Sequence, residues 1–231
     1  MVQGGNEMEN YIFDFDGTLA DSKLCGVIAT QAAFKEFGLT IPSTEQIEHY
    51  MGIPIEESFK KMTNYVFEDE SFNVLLQTFR KHYKANESDT LCVFPNIPEV
   101  LNELKSGNKK LFVVSSKKTD VLLRNLQKLE IDAYFEDIIG SDKVTNYKPH
   151  PEGIINLVKL YNLVKEETVM IGDAIFDLQM AKSASVNSCA VTWGSHKREQ
   201  LLMEKPTFLI NNVIELLQLE NFCLKQGISA L

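Results

Sequence analysis

After Pro95 the chain settles into an alternation of short apolar runs and stretches with apolar residues at helical spacing. The runs are Leu111-Phe112-Val113-Val114, Ile138-Ile139, Val169-Met170-Ile171, and residues 188–192 and 207–210. Helical patterns cover 97–106, 119–129, 151–161 and 175–184, with a short one near 196–203 and a terminal one from about 212. Strands this short and apolar along their whole length need cover on both faces. The alternation therefore predicts an α/β fold, a mostly parallel sheet lying between helices. One earlier run, Tyr11-Ile12-Phe13, predicts a further strand from about Tyr11 to Asp14.

Residues 19–90 break the alternation. Leu24, Ile28, Ala32 and Ala33 begin an apolar face continued by Phe34 and Phe37, with Gly38 as a stop. Shorter helices are expected near 43–50 and 55–64. A longer one at 69–84 carries Phe72, Leu75, Leu76, Phe79 and Tyr83 as its packing face. No strand is expected here, so the chain divides into a core of residues 1–18 and 91–231 and a helical insertion of residues 19–90. The two crossings fall near Thr18–Ser22 and Thr90–Pro95.

Open parallel sheets place ligand crevices outside the carboxyl ends of their strands. Asp14 and Asp16 end the first strand, Ser115 ends the strand after the insertion, and Asp173 ends a later one. In Asp14-Phe15-Asp16-Gly17 the two acids share a side of an extended backbone. Packing gives no reason to crowd like charges, because each raises the other's pKa, and a divalent cation removes that objection. The formal charge of −9, from 23 basic and 32 acidic residues, contains no basic cluster. Nucleic acid and anionic membrane are therefore not expected partners, and an anionic substrate needs local cations. A composition of 44% hydrophobic and 24% charged residues is that of a globular protein. Cys25, Cys92, Cys189 and Cys223 are too scattered for a zinc or iron–sulfur site and are expected as buried thiols in a reducing compartment. The first ten residues carry neither a basic nor an apolar segment, so residues 1–9 read as a loose leader and the expected location is cytoplasmic.

Four segments, Asp14-Phe15-Asp16-Gly17-Thr18, Ser115-Ser116-Lys117, Lys148-Pro149 and Gly172-Asp173-Ala174-Ile175-Phe176-Asp177, resemble in order the four motifs of the haloacid dehalogenase-like superfamily, over roughly residues 11–193. Gly52-Ile53-Pro54, Phe94-Pro95-Asn96-Ile97 and Val191-Thr192-Trp193-Gly194 add to the likeness, which is greatest to the phosphoglycolate phosphatase and pyrophosphatase-like branch. The resemblance implies a Rossmann-like core and an all-helical cap closing over the catalytic edge. It also implies Mg²⁺-dependent hydrolysis of a small phosphorylated metabolite: phosphoglycolate, a sugar phosphate, a nucleotide or pyrophosphate. By position, Asp14 would be the nucleophile that forms an aspartyl-phosphate, and Asp16 the general acid and base. Lys148 would neutralise charge on nucleophile and phosphate, which Ser115 and Ser116 would also bind. Asp14, the main-chain carbonyl of Asp16 and Asp173 would hold Mg²⁺. Asp177, one helical turn beyond Asp173, would support the metal or its water, and Thr18 would orient Asp16.

Ser116 and Lys117 fit equally well as a helix cap and a surface lysine, and Asp21 and Ser22 as caps of the next helix. Ala20 and Ala174 depart mildly from the family's commoner residues without removing a proposed catalytic group. Candidate substrate-specificity residues are His49, Gly52 and Arg80, alongside Lys60, Lys61 and Lys81. His82, His150 and His196 lack zinc-ligand spacing and are expected at the surface or in local hydrogen bonds. A phosphomutase of the β-phosphoglucomutase-like type would keep the aspartyl-phosphate but needs polar groups in the cap that are not evident here. Asp16 favours phosphoryl transfer over dehalogenation. Intact Asp14, Asp16, Lys148 and Asp173 count against a non-catalytic metabolite- or protein-binding module.

Overall fold

In the computed structural model, which describes residues 7–223, the first apolar run forms β1 (Asn10–Phe13), one residue earlier than predicted. A two-residue strand β2 (Ala20–Asp21) leads into four helices, α1 (Lys23–Phe37), α2 (Thr44–His49), α3 (Ile55–Lys61) and α4 (Asp69–Thr90). The chain returns through β3 (Cys92–Val93) and α5 (Ile97–Ser106). The alternation follows as β4 (Lys110–Val114), α6 (Thr119–Lys128), β5 (Asp137–Ile139), α7 (Glu152–Tyr161), β6 (Thr168–Gly172), α8 (Ile175–Ala184), β7 (Asn187–Val191), α9 (Arg198–Met203) and β8 (Phe208–Ile210).

Among the described residues six strands form one sheet in the order β5-β4-β1-β6-β7-β8, every pair parallel. β1 lies between β4 and β6, with Phe13 opposite Val113 on one side and Ile171 on the other. That register brings the ends of three strands, and so Asp14, Ser115 and Asp173, to a single edge. Alternate residues serve opposite layers. Tyr11, Phe13, Leu111, Val113, Val169 and Ile171 pack against α5 and α6, whereas Ile12, Phe112, Val114 and Met170 pack against α7 and α8. Both faces are filled, which is why the strands read as continuous apolar runs.

The insertion has its own core, in which Phe59 meets Phe34 edge-on at 5.1 Å and Phe79 at 5.3 Å. The buried face of α1 differs from the one predicted: Cys25, Val27, Ala29, Thr30, Ala33 and Phe34 point inward, and Leu24 is exposed. Helix α4 continues six residues past the expected end, to Thr90. The crossings, for which no strand was expected, are instead the antiparallel pair β2 and β3, Ala20 opposite Val93. Two residues were too few to give an alternating pattern. Instead of a terminal α-helix, Val213–Phe222 is a 3₁₀ segment broken at Gln218. Residues 1–6 of the expected leader lie outside the described residues, but Met8 is buried and the Glu9 N–H bonds the Glu167 carbonyl. Cys25 and Cys189 are buried as expected, whereas Cys92 is exposed and Cys223 half-buried.

The far half of α4 is pinned to α6. Glu87, buried on the insertion, accepts hydrogen bonds from Arg124 Nε at 3.1 Å, Arg124 Nη2 at 3.0 Å and Asn125 Nδ2 at 3.0 Å. Burial opposes its ionised form, but these bonds outweigh that and hold its pKa below the usual value. Glu87→Ala leaves the Asn125 amide without its acceptor inside the interface. It is expected to lower stability by about 1–3 kcal/mol in urea denaturation and to speed proteolysis within α4; unchanged stability and cleavage would show that the contact is dispensable.

Candidate active site

Three carboxylates and one ammonium are buried together where β1 and β6 end. Asp14, Asp173, Asp177 and Lys148 are all nearly inaccessible. Lys148 Nζ lies 2.6 Å from Asp14 Oδ1 and 2.7 Å from Asp177 Oδ1. Asp177 sits in the first turn of α8 and also accepts the Ala174 N–H at 3.2 Å, which fixes the way the chain leaves β6. One oxygen from each of the three acids falls within 4.8 Å of the others. At that separation a like-charged pair costs roughly 3 kcal/mol at an effective dielectric of about 20. Burial, first, and neighbouring acids, second, push Asp14 up to about 7 against the opposing pull of Lys148. Asp173 is pushed up to about 7 by burial and by Asp14. Burial alone would discharge Lys148, but the charges of Asp14 and Asp177 outweigh it and raise its pKa.

The loops around Asp173 are shaped for close approach. Its Oδ2 accepts the Ser195 N–H at 2.6 Å, and its Oδ1 accepts the Thr18 hydroxyl at 3.2 Å. Gly17 has φ +80°, and a Cβ there would fall 2.3 Å from Asp173 Oδ2. A Cβ on Gly194 would fall 2.2 Å from Asp173 Cβ. Trp193 Nε1 bonds the Thr18 carbonyl at 3.1 Å, tying the two glycine loops together.

These residues fit a divalent cation. Asp14 Oδ2 is buried without a hydrogen-bond partner, and three acids against one ammonium leave a negative excess that a hard, oxygen-seeking ion would offset. No other cluster of three metal-ligating side chains occurs among the described residues.

Asp16 occupies different surroundings. Lys117 Nζ reaches both of its oxygens, at 2.6 and 2.8 Å, and the Ser22 hydroxyl donates to Oδ1. Three expectations are thereby corrected. Lys117 is not a surface lysine, because burial of its side chain is offset by the charge of Asp16. Ser22 precedes α1 but makes no cap bond, its hydroxyl being taken by Asp16. Thr18 orients Asp173 rather than Asp16, because the turn at Gly17 directs it there. Asp21 does accept the Lys23 N–H, at 3.3 Å. Ser115 is buried beside the carboxylates and accepts the Lys117 N–H at 3.2 Å. Ser116 donates to the Gly52 carbonyl at 2.8 Å, joining core to insertion.

Asp14 and Asp16 face a cavity of about 310 Å³ between the insertion and α6. Gly52 and Arg80 line it, and Arg80 is paired with Glu56 at 2.8 Å. His49 does not line it. It is exposed at the end of α2, its ring parallel to that of His196 at 6.5 Å. Lys60, Lys61 and Lys81 are exposed and also lie outside the lining. His196 is buried rather than at the surface, its Nδ1 accepting the Ile175 N–H at 3.3 Å. His82 pairs with Glu36 at 2.6 Å, and His150 is exposed. Sequence reading missed Tyr83 and Arg124 as lining residues, since a helical aromatic and a helical arginine carry no sign of the cavity they face.

A carboxylate cluster at the carboxyl edge of a parallel sheet, roofed by helices inserted after the first strand, defines a class of α/β hydrolases. The haloacid dehalogenase-like hydrolase family matches residues 11–191. A pyrophosphatase, PpaX, from Listeria monocytogenes is 31% identical over 208 residues, covering 89% of this chain and 93% of its own. A phosphoglycolate phosphatase from Aquifex aeolicus is 29% identical over 212 residues, covering 92% and 96%. Among solved structures, a haloacid dehalogenase-like family hydrolase from Streptococcus pneumoniae superposes with a TM-score of 0.79 at 30% identity, covering 91% of this chain and 97% of that one. A haloacid dehalogenase-like hydrolase from Bacteroides fragilis gives 0.85 at 27%, covering 91% and 100%. The chain belongs to the haloacid dehalogenase-like hydrolase family and is a phosphatase within it.

Raised carboxyl pKa values favour the protonated folded state. Without a cation, folding is therefore penalised increasingly as pH climbs from about 4, the unfolded value, to about 7. A divalent cation bound there would compete with those protons, so a rise in Tm on adding Mg²⁺ in calorimetry is expected to be larger at about pH 8 than at about pH 5; an equal or reversed effect would place binding elsewhere. Gly194→Ala is expected to weaken that Mg²⁺-dependent rise in Tm by displacing Asp173, and a rise equal to the wild type's would contradict the close-packed loop.

Proposed function

We propose that the protein is a Mg²⁺-dependent phosphatase that hydrolyses a small phosphomonoester through an aspartyl-phosphate on Asp14. The observation carrying this reading is the buried Asp14 carboxylate, with one oxygen held by Lys148 and the other unpartnered. Asp14 attacks phosphorus, the Asp14 O–P bond forms and the ester O–P bond breaks, while Asp16, having taken up a proton from solvent as its ion pair with Lys117 loosens, gives that proton to the departing alkoxide. Asp16 then takes a proton from water, whose oxygen bonds phosphorus and releases Asp14. Lys148 keeps positive charge beside the transferred group throughout, and Ser115 adds a hydroxyl where the β4 strand ends. Asp14, Asp173 and the main-chain carbonyl of Asp16 would hold the cation, with Asp177 fixing Lys148 and the start of α8. Bound there, Mg²⁺ would reduce the repulsion between Asp14 and the phosphate dianion.

In this reading residues 19–90 are a cap over the core, and Lys117 and Ser22 aim Asp16 into the space between them. The acidic exterior fits a small phosphorylated metabolite better than nucleic acid, and a cytoplasmic setting agrees with four cysteines that form no disulfide among the described residues. No helix among the described residues is long and apolar enough to cross a membrane.

Phosphate release from a panel of phosphomonoesters with and without Mg²⁺ tests the reading. Asp14→Asn is expected to lower kcat by at least about 10³-fold, with inorganic phosphate as the wild-type product. Unchanged turnover in that variant would exclude the covalent route, and transfer to a second sugar phosphate would favour the mutase.

A further inference from the structure

Three of the basic residues lining the cavity are committed to a carboxylate, and of these only Lys117 is well buried, the side chains of Arg80 and Arg124 being 37% and 38% exposed. Arg80 is paired with Glu56, Lys117 with Asp16, and Arg124 with Glu87 through two of its nitrogens. The remaining basic lining residues, Lys84 and Lys118, form no ion pair among the described residues, but both are exposed at the rim, where salt screens them. Asp120 adds a further negative charge to the lining. A substrate with a second anionic group beyond its phosphate would thus meet no uncommitted cation in the buried part of the space. Burying that charge unpaired is costly.

Ser22, Thr30, Tyr50, Ser58, Ser116 and Ser141 also line it, but most of the remaining wall surface is apolar. Ile47, Met51, Ile53, Ile55 and Phe79 come from the insertion and Val121 from α6. Tyr83 closes one side, its ring 4.6 Å from Lys117 Nζ. About 310 Å³ is at the small end of cavities that enclose a metabolite-sized organic ligand. The cavity is continuous with Asp14 and Asp16, so a phosphate placed on Asp14 directs its leaving group into this wall.

Resting on the phosphatase reading, we infer that the substrate is a phosphomonoester of a bulky, largely apolar alcohol without a second anionic group, rather than pyrophosphate or a phosphorylated carboxylic acid. This separates the chain from what the names of its relatives would suggest for it.

The test compares kcat/KM, with Mg²⁺, for 2-phenylethyl phosphate, ethyl phosphate, phosphoglycolate and inorganic pyrophosphate. The two simple alkyl esters have leaving alcohols of similar acidity, so their ratio reports the wall rather than the chemistry. The ring-bearing ester is expected to exceed each of the others by about tenfold or more. Val121→Trp and Ile53→Trp, which narrow the cavity, are expected to lower its kcat/KM about tenfold or more relative to that for ethyl phosphate. Circular dichroism checks that each variant folds, and either variant alone suffices. Equal or better turnover of phosphoglycolate or pyrophosphate overturns the inference, as does a parallel fall for both alkyl esters in a folded variant. Turnover without preference defeats this inference alone. No Mg²⁺-dependent turnover of any panel member, or turnover that survives Asp14→Asn, defeats the phosphatase reading beneath it.

Discussion

Three buried carboxylates gathered around one ammonium set the terms for the rest of the catalytic edge. Asp14, Asp173 and Asp177 repel one another, and Lys148 offsets only part of the charge. Such an arrangement is tolerated only because the backbone forces it. Asp14 is carried in by the central strand, held between two neighbours in parallel register, and Asp173 and Asp177 by the junction of β6 with α8. The excess negative charge is what would draw a divalent cation there.

Asp16, two residues from Asp14, is separated from that cluster by its partners. Lys117 and Ser22 hold it on the cavity side, while Lys148 serves Asp14 and Asp177. Two acids adjacent in sequence thus acquire different neighbours, the physical basis for giving them different chemical roles.

The parallel sheet and the meeting of Asp14, Ser115 and Asp173 were legible because apolar runs fix strand positions, and the residue after each run must emerge at the edge. Lys148 and Asp177 were legible only through motif resemblance, since a lysine before a proline and an acid in a helix carry no local signal. What escaped was set by tertiary contact. Lys117 looked like a surface residue because its partner lies 101 positions away. Thr18 was assigned to the nearer acid, whereas the turn at Gly17 hands it to Asp173. Glu87 is one acid in a polar helix whose importance comes from Arg124 and Asn125 on another element. The β2 and β3 pair was too short for any period to register.

The β ribbon, the Glu87 cluster and the Ser116–Gly52 hydrogen bond are among the contacts that bind the insertion to the core. These hold the cavity wall in place relative to Asp14. The most direct measurement of the central claim is acid quenching during turnover with Mg²⁺, using wild-type and Asp16→Asn proteins, followed by peptide mass spectrometry. A phosphoryl group on Asp14, absent from Asp14→Asn, is the expected result. Phosphate release with a phosphoryl group on another residue, or with none on Asp14 in either protein at any quench time, would contradict it.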